Sequence, residues 1–475
     1  MNSEKYLDQI IGQNIISKIL NPSKDSFVLG NFKNYLEIPL GWTKNIKISD
    51  FEKKYKSLDT YKKYVFIGMG GSISMPKIAS YINPEKISFI DNFDISNIKR
   101  IKETIDNPST AVFICSKSGN TIETKILNKL VAHKKKDKFI IKDSESIKTN
   151  VFNTPKDIGG RFSISTHLGV LPFYLIGFNL EKIEKQINKA NSECKINNRD
   201  NLAIQIASLL YYNFKQNHKA FSISSNGKND YIYSWLEQLI AESTGKDENG
   251  IFPIIDTEKF SPNINFSESK NDFNQEQINL NIKYDESIFY TFQILLYAIS
   301  IFCSLIKIQP FDQPNVESTK TTTQILLEDK NEDLLKKIKK SDVNEITKQI
   351  ANNKNITCLL VHSTNLDLKL KEKLVKKAMS VSNQEQKVLV FFAPNYLHSM
   401  GQLLKGSFKE IQNIVINLHG NEDLNIPNSL YTLNTFVKKQ GYSDHLELKK
   451  NGRKSLYLET TFEELMNNLN RLIND

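Results

Sequence analysis

Short apolar runs alternate with amphipathic stretches from about residue 60 onward. Tyr64-Val-Phe-Ile67 predicts a buried strand, Gly68 to Ser74 a Gly/Ser turn and Met75 to Tyr81 a short helix. Lys86 to Ile90 predicts a second strand and Ile98 to Ile105 a helix, and Ala111 to Cys115 a third strand. A polar turn, Ser116-Lys-Ser-Gly-Asn-Thr121, separates that strand from a helix over Ile122 to Val131, and Lys138 to Lys142 predicts a fourth strand. Strands alternating with helices imply a parallel sheet, and parallel sheets bind ligands at the carboxyl ends of their strands. Both polar turns fall at such ends.

A second α/β unit begins near residue 200, with a strand over Ala220 to Ser224 and helices over Tyr231 to Ser243 and Phe289 to Ile308. An irregular turn, Gln309 to Pro314, leads into a helix reaching about Leu327, and residues 328 to 355 are charged and helical in pattern. A third α/β portion follows, with strands over Cys358 to His362, Val388 to Phe392 and Asn413 to Leu418. The first forty residues predict helices and connecting loops.

Composition narrows the function classes. At 475 residues the chain exceeds one compact core, and its 39% hydrophobic and 24% charged residues are ordinary for a soluble enzyme. The net charge of +10 admits an anionic partner, but the basic residues are spread among acids, and the densest run is Lys134-Lys-Lys136. That pattern favours a phosphorylated metabolite over nucleic acid. The four cysteines are far apart, without a CxxC pair, and the seven histidines form no HExxH. A reducing compartment, the cytoplasm, and no metal or other cofactor are expected. The polar N-terminus MNSEKYLDQI does not read as a signal peptide. The apolar stretch Phe292 to Ile308, which carries Gln293 and Lys307, reads as a buried helix ended by Pro310 rather than a membrane span.

Several clusters carry candidate chemistry. Ser, Thr, Asn and Gly make ordinary turns and helix caps, but a helix N-terminus also offers unpaired N–H groups to an anion. Two hydroxyl-rich turns at one sheet edge, Gly70-Gly71-Ser72 and Ser116 to Thr121, make one pocket for a phosphate monoester. A dinucleotide fingerprint would need glycine in place of Ile73, although Asp91 follows where a ribose-binding acid would sit. In Asp157-Ile-Gly-Gly160-Arg161-Phe-Ser163 the paired glycines bring Arg161 into a cleft, where a guanidinium would stabilise an oxyanion. In Trp235 to Lys246, Gln238 and Glu242 share a helix face, and Gly245 stops the helix. Glu242 then occupies the last turn, where the helix dipole disfavours a carboxylate and raises its pKa, as suits a general base. In Gln309-Pro-Phe-Asp-Gln313-Pro-Asn-Val-Glu-Ser-Thr-Lys320 two prolines bracket a rigid turn, and Gln313 and Lys320 are seven apart, as on one helix face.

Taken in order, the GGS turn, SKSGNTIET, GGRFS, a helix ending ESTGK and FDQPNVESTK resemble phosphoglucose isomerase, a family built from sugar-isomerase (SIS) domains. The resemblance runs from about residue 60 to 320, and Leu397-His398-Ser-Met-Gly-Gln402-Leu-Leu-Lys405-Gly406 extends it. The wording is similar to the isomerase half of fused transaldolase–phosphoglucose isomerases. The resemblance implies an α/β fold with two SIS-type doubly wound parallel-sheet domains. It places a helical segment over 1–40, the first SIS domain over 41–195, the second over 196–330 and an additional C-terminal α/β portion over 331–475.

It also implies residue roles in a metal-independent interconversion of glucose 6-phosphate and fructose 6-phosphate. Gly71, Ser72, Ser116, Lys117, Ser118 and Thr121 would hold the sugar phosphate, Lys117 mainly through its backbone. Glu242 would move a proton between C1 and C2, and Arg161 would stabilise the cis-enediolate. Gln238 and Gln313 would position the substrate, and Lys320 would help open the ring. The family's ring-opening histidine has no counterpart, because residues 247 to 311 contain none. His398, His167, or Lys320 with water remain as alternatives. The small residues of SKSGNT would also admit mannose 6-phosphate. A homodimer, with the site completed across it, is the family's usual assembly. A silent sugar-phosphate sensor and a nucleotide-dependent oxidoreductase are the rival readings. Neither nucleic acid nor a membrane is expected as a partner.

Overall fold

The structure is a computed structural model describing residues 4–225, 230–255, 262–267, 271–275, 277–328, 340–353, 355–382 and 386–474. Its strands are β1 (Lys63–Gly68), β2 (Ile87–Ile90), β3 (Thr110–Cys115), β4 (Lys138–Asp143), β5 (Val151–Thr154), β6 (Ala220–Ser225), β7 (Phe252–Ile255), β8 (Asn263–Ser267), β9 (Asp272–Phe273), β10 (Gln277–Asn281), β11 (Ile356–His362), β12 (Lys387–Phe392), β13 (Gln412–Leu418) and β14 (Lys454–Thr460). The helices are α1 (Glu4–Gly12), α2 (Ile15–Leu20), α3 (Glu52–Tyr55), α4 (Ser74–Ile82), α5 (Ile95–Asp106), α6 (Ile122–Val131), α7 (His167–Leu175), α8 (Leu180–Cys194), α9 (Leu202–Lys215), α10 (Asp230–Thr244), α11 (Ile288–Leu305), α12 (Pro314–Leu327), α13 (Val343–Asn352), α14 (Leu368–Val381), α15 (Gly401–Gly406), α16 (Leu433–Lys450) and α17 (Phe462–Asn474).

The chain forms two compact units. The first comprises Met1–Phe89, Thr104–Thr124 and Lys135–Asp312, and the second Ile90–Glu103, Lys125–Lys134 and Gln313–Asp475. The α/β class expected from the alternating pattern is what the chain adopts.

In the first unit one sheet has the order β2-β1-β3-β4-β5, parallel from β1 through β5. The strands are apolar on both faces, as a helix-covered parallel sheet requires; β3 reads TAVFIC and is buried almost throughout. The chain leaves β1 toward β2 on one side and β3 toward β4 on the other. The crevice between the carboxyl ends of β1 and β3 is therefore the topological switch point, where such sheets bind ligands. A second sheet has the order β7-β6-β8-β10-β9, parallel except for the antiparallel edge strand β9.

One continuous apolar core joins the N-terminal helices, both sheets and α11. Helix α11 is long and apolar enough to cross a membrane, and 83% of it is buried within the protein. It packs on α2, α8, α9 and α10. The nitrogen of its one mid-helix amide is satisfied there: Gln293 Nε2 donates to the carbonyl of Trp42 (2.9 Å) and to Asn191 Oδ1 (2.6 Å). The helix ends at Leu305, a turn before the Pro310 expected to stop it.

The second unit is built on the sheet β12-β11-β13-β14, parallel throughout, with a core of its own. The charged helical stretch expected over 328–355 lies partly outside the described residues; α13 is its described part.

Candidate active site

The two hydroxyl-rich turns meet in the first unit. Gly68 lies opposite Cys115 in the parallel register of β1 and β3, so both turns start at one level. The Lys117 N–H donates to Ser72 Oγ (3.4 Å), and Ser116 Oγ donates to Thr121 Oγ1 (3.1 Å). The Asn120 N–H donates to Ser118 Oγ (3.2 Å), and Gly119 takes the left-handed φ of +68° that tightens the loop. Ser118 is exposed, Lys117 and Thr121 are half-buried, and Ser72 and Ser116 are buried. Lys117 Nζ stands 3.5 Å from Asp143 Oδ2. Helix α6 begins directly after the loop, so its first-turn N–H groups and these hydroxyls share one corner.

Gly71 also has a packing reason to be glycine. A Cβ there would lie 2.5 Å from the carbonyl carbon of Gly160 and 2.7 Å from the Arg161 nitrogen. The missing Cβ leaves room for that backbone. The GGS and GGR motifs are thus packed directly on one another, and this fixes where Arg161 starts.

Arg161 then crosses to the end of α10. Its Nη1 donates to Glu242 Oε2 (3.1 Å) and its Nε to Ser243 Oγ (3.0 Å). Nη2 donates to the carbonyls of Glu242 (3.4 Å), Asp312 (3.0 Å) and Pro310. Arg161 is 5% and Glu242 4% exposed, so the pair is nearly dry, and the bonds from Arg161 to Ser243 and the backbone carbonyls offset the cost of burying the charges. Helix α10 ends at Thr244, so Glu242 does occupy the last turn. The guanidinium supplies the positive charge which that helix end lacks.

Gln238 serves the same carboxylate. Its Nε2 donates to Glu242 Oε2 (3.2 Å), while Ser74 Oγ donates to Gln238 Oε1 (3.3 Å) and to the Gly70 carbonyl (3.1 Å). A chain of side chains therefore runs from the GGS turn to Glu242. Within the protein Gln238 orients the acid. Ser74 carries no role in the sequence reading, although its position one turn beyond the GGS motif was the available signal.

Two further residues stand behind Arg161. Lys246 Nζ lies 3.0 Å from Asp312 Oδ1 and donates to the carbonyls of Ser243 (3.3 Å) and Gln309. Burial pulls the Lys246 ammonium down to about 8, against the pull of Asp312. Asp312 Oδ2 also accepts the Asn31 N–H (2.9 Å). The pair ties α10 to the turn whose carbonyls hold Arg161. Both residues sit inside quoted motifs, but nothing in their spacing says that they meet.

Gln313, Lys320 and His398 belong to the second unit. Gln313 is the residue before α12, with φ −152° and ψ 64°, so it lies outside the helix. The shared helix face inferred for Gln313 and Lys320 from their seven-residue spacing does not hold for that reason. Lys320 is exposed on α12, and His398 closes a half-buried turn over Asn395–His398. The start of α12 is clamped: the Asn315 N–H donates to Gln402 Oε1 (3.0 Å), and Gln402 Nε2 donates back to Asn315 Oδ1 (2.7 Å).

His167, in the first unit, is enclosed by Phe51 and Phe152, and Tyr55 Oη stands 2.7 Å from its Nδ1. Burial and Lys54 hold this imidazole down at about 3. The surroundings support a structural role for it. Asp91 is buried and accepts from Asn395 Nδ2 (3.1 Å) within the second unit.

No family model matches the chain. A glucose-6-phosphate isomerase of Methanocaldococcus jannaschii is 33% identical over 223 residues, 42% of this chain and 55% of that protein. One of Staphylococcus saprophyticus is 28% identical over 254 residues, 47% of this chain and 57% of that protein. The chain is related to the glucose-6-phosphate isomerases. This fits the family whose motifs it carries, and the chain spans little more than half the length of these relatives, 55% and 57%. In fold, the chain is similar to a glucose-6-phosphate isomerase of Chlamydia trachomatis, with a TM-score of 0.55 at 15% identity, over 68% of this chain and 85% of that one. A hypothetical protein of Thermus thermophilus has a TM-score of 0.54 at 18% identity, over 68% of this chain and 94% of that one. These likenesses establish the sugar-isomerase type of α/β fold for this relative of the isomerases.

Proposed function

We propose that the protein interconverts glucose 6-phosphate and fructose 6-phosphate by proton transfer through a cis-enediolate. The observation that carries this reading is the buried carboxylate of Glu242, held 3.1 Å from Arg161 Nη1 and 3.2 Å from Gln238 Nε2. In the open-chain aldose, Glu242 takes the C2 proton and returns it to C1, while the hydroxyl proton moves between the two oxygens. Removing a weakly acidic C–H beside a carbonyl needs a fixed base and a cation at the developing oxyanion. Arg161 is that cation.

Ser72, Ser116, Ser118 and Thr121, with the start of α6, bind the phosphate, and its remote binding energy orients the reacting carbons. Gly71 acts by seating Arg161. Gln238 positions Glu242. Roles in substrate positioning and ring opening are proposed for Gln313, Lys320 and His398, and the homodimer usual in the family is the proposed assembly. No step calls on a metal or cofactor.

The test is turnover of fructose 6-phosphate by purified protein in EDTA, read by coupling glucose 6-phosphate to NADP reduction, with mannose 6-phosphate offered in a parallel assay. Turnover on fructose 6-phosphate is expected. Faster turnover of mannose 6-phosphate would move the substrate assignment. Saturable sugar-phosphate binding without turnover would replace the enzyme by a sensor.

A further inference from the structure

The segment that follows α2 lies against the turn that holds Arg161. Ser304 Oγ, near the end of α11, donates to the Ser26 carbonyl (2.9 Å), and Lys307 Nζ donates to the carbonyl of Asp25. Ser26 Oγ donates back to the Lys18 carbonyl of α2 (2.6 Å). Phe27, 1% exposed, meets Phe311 edge-on with ring centroids 5.8 Å apart, and Phe311 meets Phe162 at 5.0 Å. Phe162 is the residue after Arg161. These contacts seat residues 25–27 on the turn Gln309–Asp312, and the next residues reach the acid that closes it.

Both oxygens of that acid are engaged. Asp312 Oδ2 accepts the Asn31 N–H (2.9 Å), and Oδ1 stands 3.0 Å from Lys246 Nζ. Gly30 takes a left-handed φ of +63°, and a Cβ on it would overlap Asp312 Oδ2. The N-terminal segment therefore sets the carboxylate from one side and Lys246 from the other. The main chain of the same turn holds the guanidinium. Arg161 Nη2 donates to the carbonyls of Asp312 (3.0 Å), Pro310 and Glu242 (3.4 Å), and Nε donates to Ser243 Oγ (3.0 Å). A guanidinium is a rigid planar fork, so anchoring Nε and Nη2 fixes the direction of Nη1. One Nη1 N–H goes to Glu242 Oε2, and the other finds no acceptor among the described residues.

We propose that Asp312 is a positioning residue for the isomerisation, and that the N-terminal segment acts on the reaction through it. This rests on the isomerase reading, in which the remaining Nη1 N–H meets the developing oxyanion beside Glu242. A shift of the Asp312 carboxylate carries the carbonyls of its turn with it, and the guanidinium plane follows. The N–H then misses a charge that forms only in the transition state, so the loss falls on kcat. The hydrogen bonds of Ser72, Ser116 and Ser118 run within the two hydroxyl-rich turns and do not include Asp312, so KM is spared. Gly30 lies outside every motif of the site, and its space is what the carboxylate needs.

The test is steady-state turnover of fructose 6-phosphate by the full chain, with a thermal melt of each variant. Gly30→Ala should lower kcat about tenfold, less than a full 1 Å misplacement because the exposed segment yields in part, with KM within about twofold. Asp312→Asn, which keeps the shape and loses the ion pair, should show the same split. Asp312→Ala should lower kcat further, and it removes the atoms that Gly30→Ala meets. In the Gly30→Ala/Asp312→Ala double variant kcat should then match Asp312→Ala within about twofold, as for two residues acting through one contact. Should Asp312→Ala not fold, the first two variants decide. A lowered melting temperature with wild-type kcat would make the contact merely structural and overturn the proposal. So would a loss carried by KM, or losses that multiply in the double variant. No turnover by the wild type would overturn the isomerase reading and this inference with it, whereas wild-type turnover with unchanged variants would overturn this inference alone.

Discussion

Gly71 and Gly160 face each other so closely that a Cβ on Gly71 would sit 2.5 Å from the Gly160 carbonyl carbon. Two motifs 89 positions apart, by the numbers of these residues, thereby share one wall. The turn proposed to bind phosphate and the Arg161 proposed to stabilise the oxyanion are held by the same contact. Gly71→Ala should displace the backbone under Arg161 by a fraction of an ångström or more. We expect kcat to fall about 100-fold, the scale of a 1 Å misplacement of a catalytic group, with KM changed much less. Steady-state kinetics beside a circular-dichroism melt check this, and a variant with wild-type kcat would show that the contact does not position Arg161.

Gln238 joins Ser74 to Glu242. Gln238→Leu keeps the volume but removes the donor to the carboxylate, and it leaves the Ser74 hydroxyl with the Gly70 carbonyl alone of its two acceptors. A loss of about tenfold in kcat is expected for a positioning hydrogen bond to a charged group. A change confined to KM would instead make Gln238 a substrate contact, the role that the family resemblance implies.

Lys246 predicts a pH dependence. Its folded value near 8 is below the ordinary lysine value of 10.5, chiefly because burial disfavours the ammonium. Below pH 8 both folded and unfolded chains carry the proton, and the full cost of burial is present. Between about 8 and 10.5 the unfolded chain binds a proton that the folded chain does not, so stability rises with pH across that window. The whole shift corresponds to roughly 3 kcal/mol. Lys246→Met removes this titration. Urea unfolding of both proteins from pH 7 to 10.5 should show the wild type gaining relative to the variant. A difference that stays constant with pH contradicts the assignment.

Local chemistry was readable where the pattern was strong. The strand Thr110–Cys115, its polar turn and the start of α6 at Ile122 follow from an apolar run, a Ser/Gly loop and a helical period. The stop of α10 at Thr244 follows from Gly245. The second sheet was less legible. Its strands β8 and β10 read NINFS and QINLN, which alternate polar and apolar residues but are short and carry Asn, a residue depleted in strands. Helix α7, HLGVLPFYL, carries Pro172 and has no polar face, because it is buried all round. The site was legible in its members but not in its wiring. Lys246 meets Asp312, and Asn315 meets Gln402, only because the fold brings distant segments together. No spacing along the chain encodes such contacts. The packing of Gly71 on the backbone of Gly160 is likewise invisible in the spacing of their motifs.

The central claim is that Glu242 moves the proton. The direct measurement is fructose 6-phosphate turnover by Glu242→Gln beside the wild type, with the fold of each checked by circular dichroism. The substitution keeps the size of the side chain and the Arg161 contact through its amide oxygen, but removes the base. The account predicts a loss of at least about 10²–10⁴-fold in kcat, the range for a general base, with the fold intact. Turnover within a few fold of the wild type would contradict it.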